Sequence, residues 1–490
     1  MTVPALLQQD ILMVIQLLQQ ELLLFTSLAI LVGSIDDLVF DSMWVTHIIK
    51  KKWSGGRPWH LPKGDNAEAN SPIPENWAAG SNAQPLAIFV PAWREAAVIG
   101  TMLRRCLAQW NHPHYRIYVG CYPNDDATIA AVVDVASAAD NIRIVICDRA
   151  GPTSKADCLN RLWRALCQDE LAQSLRFKAI ILQDAEDLVH PQALTLFDIL
   201  IERAALVQIP VIPRRASQSI WIAGHYGDEF AEMHGKQMVL REAMGVSIPS
   251  AGVGCALRRD ALGQLSADSH GQPFDAQSLT EDYELGIQLT EGEERGLFAR
   301  VQDEHGQWIA TQEFFPDTLE AAVKQKSRWM TGIALAGWDR LGWNACWREN
   351  WMRLRDRKSS LAALVLALTY LTILLTAFLC ALDKAGFYAA QPISEELLAL
   401  LALNGIFLAW RLAVKAYFVG GIYGWREAIL SVPRTIVANV INILAAKHAL
   451  IQYWISLRGG RLHWHKTQHF HPNLSAAKSL KSRDSDSGLG

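Results

Sequence analysis

Three long apolar runs constrain this chain before any other feature does. Leu22 to Ile49, Ala362 to Leu382 and Leu397 to Val419 each supply about the ~20 residues that a helix needs to cross a bilayer. Inside hydrocarbon the backbone must satisfy its own hydrogen bonds, so such runs fold as helices. Lys50-Lys51-Lys52 and Arg57 follow the first run. Arg348, Arg353, Arg355, Arg357 and Lys358 precede the second, and Arg411, Lys415 and Arg426 close the third. Basic residues flanking spans stay in the cytoplasm. Three spans are therefore expected, in a bacterial-type inner (plasma) membrane, with the residues between the first and second run on the cytoplasmic side. The start of the chain lacks the basic opening, short apolar core and small-residue cleavage site of a signal peptide, so the first run is expected to be retained.

Two places depart from a plain spanning pattern. Asp36-Asp37, with Asp41 beyond, lie inside the first run, where a carboxylate in hydrocarbon costs roughly 2.5–3.5 kcal/mol. They are expected to face other helices or the interface, and a pairing role and a functional role both stand open. Ala428 to Leu457 is apolar but carries Pro433, Arg434, Asn439, Asn442, Lys447 and His448. That polarity predicts amphipathic helices on the cytoplasmic face over 426–470, with a fourth span as the alternative. A polar tail, 471–490, is expected to be disordered.

The middle of the chain has a different character. His60 to Pro85 is a linker rich in Pro, Gly, Asn and Ser. From Leu86, strand-like runs alternate with helical ones. Leu86 to Val90, Arg116 to Cys121, Ile142 to Cys147 and Ala179 to Gln183 read as strands. Ala96 to Trp110, Thr128 to Ala139 and Asp157 to Leu171 read as helices between them. This alternation implies βαβ units and a mostly parallel, Rossmann-like sheet over about 86–345. Right-handed crossovers bring the loops after Val90, Cys121 and Gln183 to one crevice. Further along, Arg203 to Pro213 reads as a strand, Ile220 to Met244 as a long helix, and Pro249 to Leu257 as a strand segment whose glycines admit a close approach. Thr280 to Leu289 reads as a helix capped by Thr280, and Leu319 to Leu341 as a further helix. The net charge of −3 does not indicate a nucleic-acid surface. The eight cysteines form no paired or zinc-like spacing, which fits reduced thiols.

Chemistry concentrates in Asp184-Ala185-Glu186-Asp187, at the end of the fourth strand. Carboxylates at a strand end suit Mg²⁺ or Mn²⁺, and such an ion suits a diphosphate. Asp184 and Glu186 are the expected metal ligands. Asp187 turns to the other side of an extended chain and is left as a structural residue. Three further elements share the domain in order with this one. They are Asn124-Asp125-Asp126, Thr280-Glu281-Asp282 and Gln325-Lys326-Ser327-Arg328-Trp329.

With these elements, in this order and between apolar ends, the chain resembles the family 2 inverting glycosyltransferases, which include cellulose and hyaluronan synthases. The resemblance covers about Leu86 to Leu341 and implies a GT-A fold, a nucleotide-sugar donor, with UDP the nucleotide expected, and a divalent cation. Residue by residue it implies that Asp282 is the general base and that Glu95, Asp125, Lys155, Asp184 and Arg328 contact the donor. Gln325, Trp329 and Gly252 are expected on the acceptor side. Physical reasons accompany these roles: a carboxylate can take the proton of an attacking hydroxyl, a guanidinium can clamp a diphosphate, and an indole offers a face to a sugar ring. The expected reaction is transfer to a growing cell-surface polysaccharide, with an export or outer-membrane partner to receive it. Single-sugar transfer to a lipid carrier and a non-catalytic assembly or receptor component are the alternatives.

Overall fold

This computed structural model describes residues 3–53, 84–214, 219–292, 294–387, 389 and 392–459. Most of the 60–85 linker, residues 460–470 and the 471–490 tail lie outside them.

The α/β domain begins with β1 (Leu86–Pro91), α2 (Ile99–Gln109), β2 (Tyr115–Cys121), α3 (Asp126–Ala136), β3 (Ile142–Ile146), α4 (Lys155–Gln173) and β4 (Ala179–Leu182), after a long first helix α1 (Val3–Trp53). These strands pair in parallel, in the order β3-β2-β1-β4. Alternate side chains of β1 serve two cores, because helices cover both faces of the sheet. Ile88 and Val90 pack with Met102 and Leu103 of α2, whereas Ala87 and Phe89 pack with Leu159 and Leu162 of α4.

The sequence-based expectation for 203–213 is corrected by the structure. The segment follows α5 (Ala193–Leu200) and splits into β5 (Leu206–Gln208) and β6 (Val211–Arg214). Ile209 and Pro210 separate them, and Pro210 has no N–H for a ladder. The two halves join different sheets. Ile220 to Met244 is helical, as α6 (Ile222–Glu232), a π-helical stretch from Met233 to Gln237, and α7 (Met238–Met244). The strand expected over 249–257 is confined to β7 (Cys255–Arg258), which runs antiparallel to β4 and β5. Gly252 and Gly254 take positive φ of 77° and 58°, which breaks the extended run before it.

Next come α8 (Arg259–Asp268), α9 (Glu281–Thr290), β8 (Gly296–Phe298), β9 (Thr311–Phe314), α10 (Leu319–Trp329) and α11 (Gly337–Leu341). β8 extends the main sheet beside β5, and β9 pairs with β6 in a small second sheet.

A short helix α12 (Trp347–Arg357) leads into α13 (Ser359–Lys384), α14 (Glu395–Tyr423) and α15 (Trp425–Leu457). Among the described residues, α1, α13, α14 and α15 are long and apolar enough to cross a membrane. Within the region read as interfacial helices, the described residues form one continuous helix, α15, as far as Leu457. Its polar residues meet protein: Arg434 pairs with Asp228 of α6 at 2.8 Å, and Asn439 donates to Tyr370 of α13 at 3.1 Å. The carboxylates inside α1 also meet partners. Asp36 and Asp37 face Arg355 and Lys358, and Asp41 accepts from Lys236 and from Trp410 Nε1. Of the two roles left open for them, pairing is the one the geometry displays.

Candidate active site

The loops at the carboxyl ends of β1, β2 and β4 converge with α9 and α10 on a cavity of about 160 Å³. Its wall contains Glu95, Lys155, Asp184, Glu186, Asp282, Gln325, Arg328 and Trp329. Two of the expected site residues stand just outside it. Asp125 buttresses the first loop from behind, accepting from Arg94 N at 2.5 Å and from Thr128 N at 3.4 Å as the N-cap of α3. Arg94 is held at a φ of +55° there. Of the aspartate pair, Asp125 is buried and Asp126 is exposed. Gly252 lies beneath Asp282, close enough that a Cβ would overlap its carboxylate.

One wall of the cavity is aromatic. Trp93 and Tyr122 meet edge to face at 5.1 Å, and Tyr122 shares a hydrogen bond with Thr153 at 2.8 Å. Asn124 fastens the neighbouring loop by donating to Gly151 O and accepting from Gly151 N.

The acidic stretch forms a tight turn. Asp184 N donates to Asp187 Oδ2 at 2.8 Å, and Asp187 N donates to Asp184 O at 3.2 Å. This turns Asp187 into the protein, where burial, followed by Asp184, Glu313 and Glu186, pushes its carboxyl well above the usual range. Asp184 and Glu186 are left on the cavity side. Ser154 caps α4, which starts at Lys155. The Lys155 ammonium lies 2.6 Å from Asp184 Oδ1 and donates to Gly252 O at 3.4 Å. Burial works against its charge, but Asp184, Glu281 and Asp282 raise its pKa overall.

Asp282 sits in the first turn of α9, where the helix dipole favours acids. The capping expected of Thr280 is not made by its side chain. Among the described residues Thr280 Oγ1 has no hydrogen-bond partner, and it lies against Gly332. Glu284 instead anchors this end of α9, accepting from Ser278 Oγ at 2.7 Å and from Arg340. Glu281 also lines the cavity. Burial and the adjacent Asp282 push its carboxyl up to about 7, with Lys155 and Arg328 pulling the other way.

Gln325, Arg328 and Trp329 share one face of α10, a helical turn apart, as their spacing requires. Trp329 is packed among Tyr226, Phe230 and Phe315. Lys326 points elsewhere, pairing with Glu229 under the rings of Tyr226 and Trp329.

A second cavity, of about 400 Å³, shares Ala251, Thr280, Asp282 and Trp329 with the first. It continues to Ser359, Ala363 and Leu366 of α13 and Asn442 of α15. The cations in its wall are all paired: Lys326 with Glu229, Arg241 with Asp356, and Arg355 with Asp36 and Asp37.

Sequence reasoning gave no role to Tyr122, Thr153, Glu281 and Glu313 in the wall of the first cavity, and it missed Gln208. Gln208 on β5 is wholly buried. Its Nε2 is shared among Ile209 O, Val253 O and Gly254 O at 2.8–3.0 Å, and its Oε1 accepts from Ala251 N at 2.9 Å. It therefore holds the 251–254 loop between Lys155 and Asp282. A polar residue at the end of a buried strand was its only sequence signal.

A sequence model described as "Glycosyltransferase like family 2" matches residues 83–332, just over half the chain. Bacteriophage adsorption protein B of Escherichia coli (strain K12) is 37% identical over 472 residues, 92% of this chain and 62% of its own length. Bacteriophage N4 adsorption protein B of Escherichia coli O157:H7 matches to the same extent. The chain thus spans less than two thirds of the length of these curated relatives. Among solved structures, the mannosyltransferase PcManGT from Pyrobaculum calidifontis, in complex with GDP-Man and Mn²⁺, aligns with a TM-score of 0.49 at 15% identity, covering 87% of this chain and 99% of that one. S. aureus TarS 1-349 aligns with a TM-score of 0.33 at 11% identity, covering 79% and 94%.

Proposed function

Because the chain belongs to the family 2-like glycosyltransferases, we propose that it is a membrane-embedded inverting enzyme. It moves a sugar from a nucleotide-sugar, with UDP as the expected nucleotide, to a growing cell-surface polysaccharide. Glu95, Lys155, Asp184 and Arg328 bind the donor, with Asp125 bracing the first loop. The aromatic wall of Trp93 and Tyr122 takes the nucleoside. Gln325, Trp329 and the 251–254 loop at Gly252 receive the acceptor. Asp282 accepts the proton of the attacking acceptor hydroxyl as the anomeric carbon is inverted. Lys155 and Arg328 stabilise the negative charge gathering on the departing diphosphate.

Asp184 and Glu186 would hold a Mg²⁺ or Mn²⁺ ion. Among the described residues no three ligating side chains converge on one point. Two hard carboxylates fit an ion that completes its shell with substrate phosphate and water. Such an ion supplies further positive charge to the diphosphate.

One observation carries this reading: Asp282 and Trp329 belong to the walls of both cavities. A base at such a junction can serve a donor on one side and an acceptor on the other. The pairing of every cation in the second cavity suits a neutral glycan better than the diphosphate of a lipid carrier. Transfer to a lipid carrier is the second reading, favoured by apolar Ala362, Ala363 and Leu366 on α13. A panel of nucleotide-sugars supplied to membranes containing the protein tests the proposal through release of nucleoside diphosphate. A polymer on a gel supports the first reading, one lipid-linked sugar supports the second, and no release with any donor sinks both.

A further inference from the structure

Helix α12 stands between two elements far apart in sequence: α1, and α9 with Asp282 in its first turn. It grips α9 at both ends. At the start of α9, Tyr283 OH donates to Asp356 Oδ2 at 2.6 Å, and buried Arg241 donates to the same oxygen. At the far end, buried Arg353 Nη2 donates to Oε1 of Glu291, the C-cap of α9, at 2.6 Å. Glu349, one helical turn before Arg353, accepts from both Ser247 N and Ser247 Oγ at 2.6 Å, which seats α12 on the domain. On its other face Trp351 Nε1 donates to Asp36 Oδ1 at 2.8 Å, and Arg355 Nη2 donates to Asp37 Oδ1 at 2.9 Å.

Tyr283 joins this framework to the site. Its amide donates to Asp282 Oδ1 at 2.8 Å, while its phenol is held by Asp356. The ring is buried and lines the second cavity. Hydrogen bonds in such a setting are directional and strong. Two tethers, at the first turn and at the C-cap, oppose rotation of α9 about its axis. Such a rotation would swing the Asp282 carboxylate away from the junction of the cavities, and small misplacements of a reacting group cost large factors in rate.

We propose that α12 positions the base: Tyr283 and Asp356 are positioning residues that hold Asp282 at the cavity junction, with α12 held in turn by Asp36 and Asp37 of α1. This rests on the reading of Asp282 as the base.

Tyr283→Phe in the full chain, assayed in membranes, removes only the phenolic hydroxyl. We expect kcat to fall roughly tenfold to a hundredfold, with the KM values for donor and acceptor unchanged. A preserved thermal midpoint separates this from loss of fold. Asp356→Asn keeps an acceptor for the phenol and should lose less activity than Asp356→Ala. An unchanged kcat in Tyr283→Phe, a raised acceptor KM, or equal losses in the two Asp356 variants would overturn the inference. Full turnover by Asp282→Asn would remove the base assignment and this inference together. Inactive Asp282→Asn beside fully active Tyr283→Phe would remove this inference alone.

Discussion

The carboxylate of Asp282 lies against the bare Cα of Gly252: a Cβ there would approach Asp282 Oδ2 well inside 3.0 Å. The carbonyl of the same glycine accepts from Lys155, which also holds Asp184. One residue without a side chain thus separates the acid proposed as base from the cation proposed for the diphosphate. Its φ of +77° adds a backbone reason for glycine.

Gly252→Ala should therefore displace Asp282 and strain the loop. We expect a fall in kcat of roughly a hundredfold, on the scale of a misplaced reacting group. Steady-state kinetics with saturating donor check this, and a kcat within twofold of wild type would contradict it.

Asp282→Asn should leave donor binding intact and abolish transfer, because the amide cannot accept the proton. Equilibrium binding of the donor nucleotide and turnover are measured on the same preparation. Chelation by EDTA should separately stop turnover, with Mg²⁺ or Mn²⁺ restoring it.

Lys155→Met removes a half-buried cation from the proposed donor side. Hydrogen bonds to charged groups are worth about 1.5–3 kcal/mol, so the KM for donor should rise roughly tenfold to a hundredfold. An unchanged donor KM would place Lys155 outside donor binding.

Glu281 offers a pH test. Its carboxyl is pushed up to about 7, first by burial and then by Asp282 of its own helix, against Lys155 of α4 and Arg328 of α10. A carboxyl raised above its unfolded value adds stability that is complete below the unfolded pKa and lost as pH rises through the folded one. Wild-type protein should lose thermal stability as pH climbs through about 7, and Glu281→Gln should lose less. Midpoints measured one unit on either side decide it.

Arg434 and Asp228 form a buried pair at 2.8 Å between α15 and α6, with side chains 1% and 5% exposed. Removing one partner of such a pair costs about 3–5 kcal/mol. Arg434→Met should accordingly lower the unfolding midpoint and loosen α15, read out by faster proteolysis of that helix. Gly224 packs against the guanidinium, so a side chain there would have to displace Arg434.

Much of this molecule was legible in its residues. The alternation of β1 through β4 with their helices follows from local periodicity, and periodicity is a property of neighbours in the chain. The spacing of Asp184 and Glu186, and of Gln325, Arg328 and Trp329, likewise sets which side chains share a face. The apolar runs announced the long helices because length and composition alone decide whether a helix can cross a membrane.

What only the tertiary structure decided involves partners far away in sequence. Pro210 breaks a strand, but nothing local says that β6 will leave the main sheet to pair with β9. The antiparallel direction of β7, the hold of Gln208 on the 251–254 loop, and the cations facing Asp36, Asp37 and Asp41 all depend on packing. Asp125 and Glu95 belong to neighbouring loops that look equivalent in sequence, yet Glu95 lines the cavity and Asp125 braces it from behind. Residue types and spacing determined which chemistry this chain could carry. Burial and long-range hydrogen bonds determined which carboxylates face the cavity and which serve the fold, because only a completed environment says whether a charge meets solvent, a cation or a neighbouring acid.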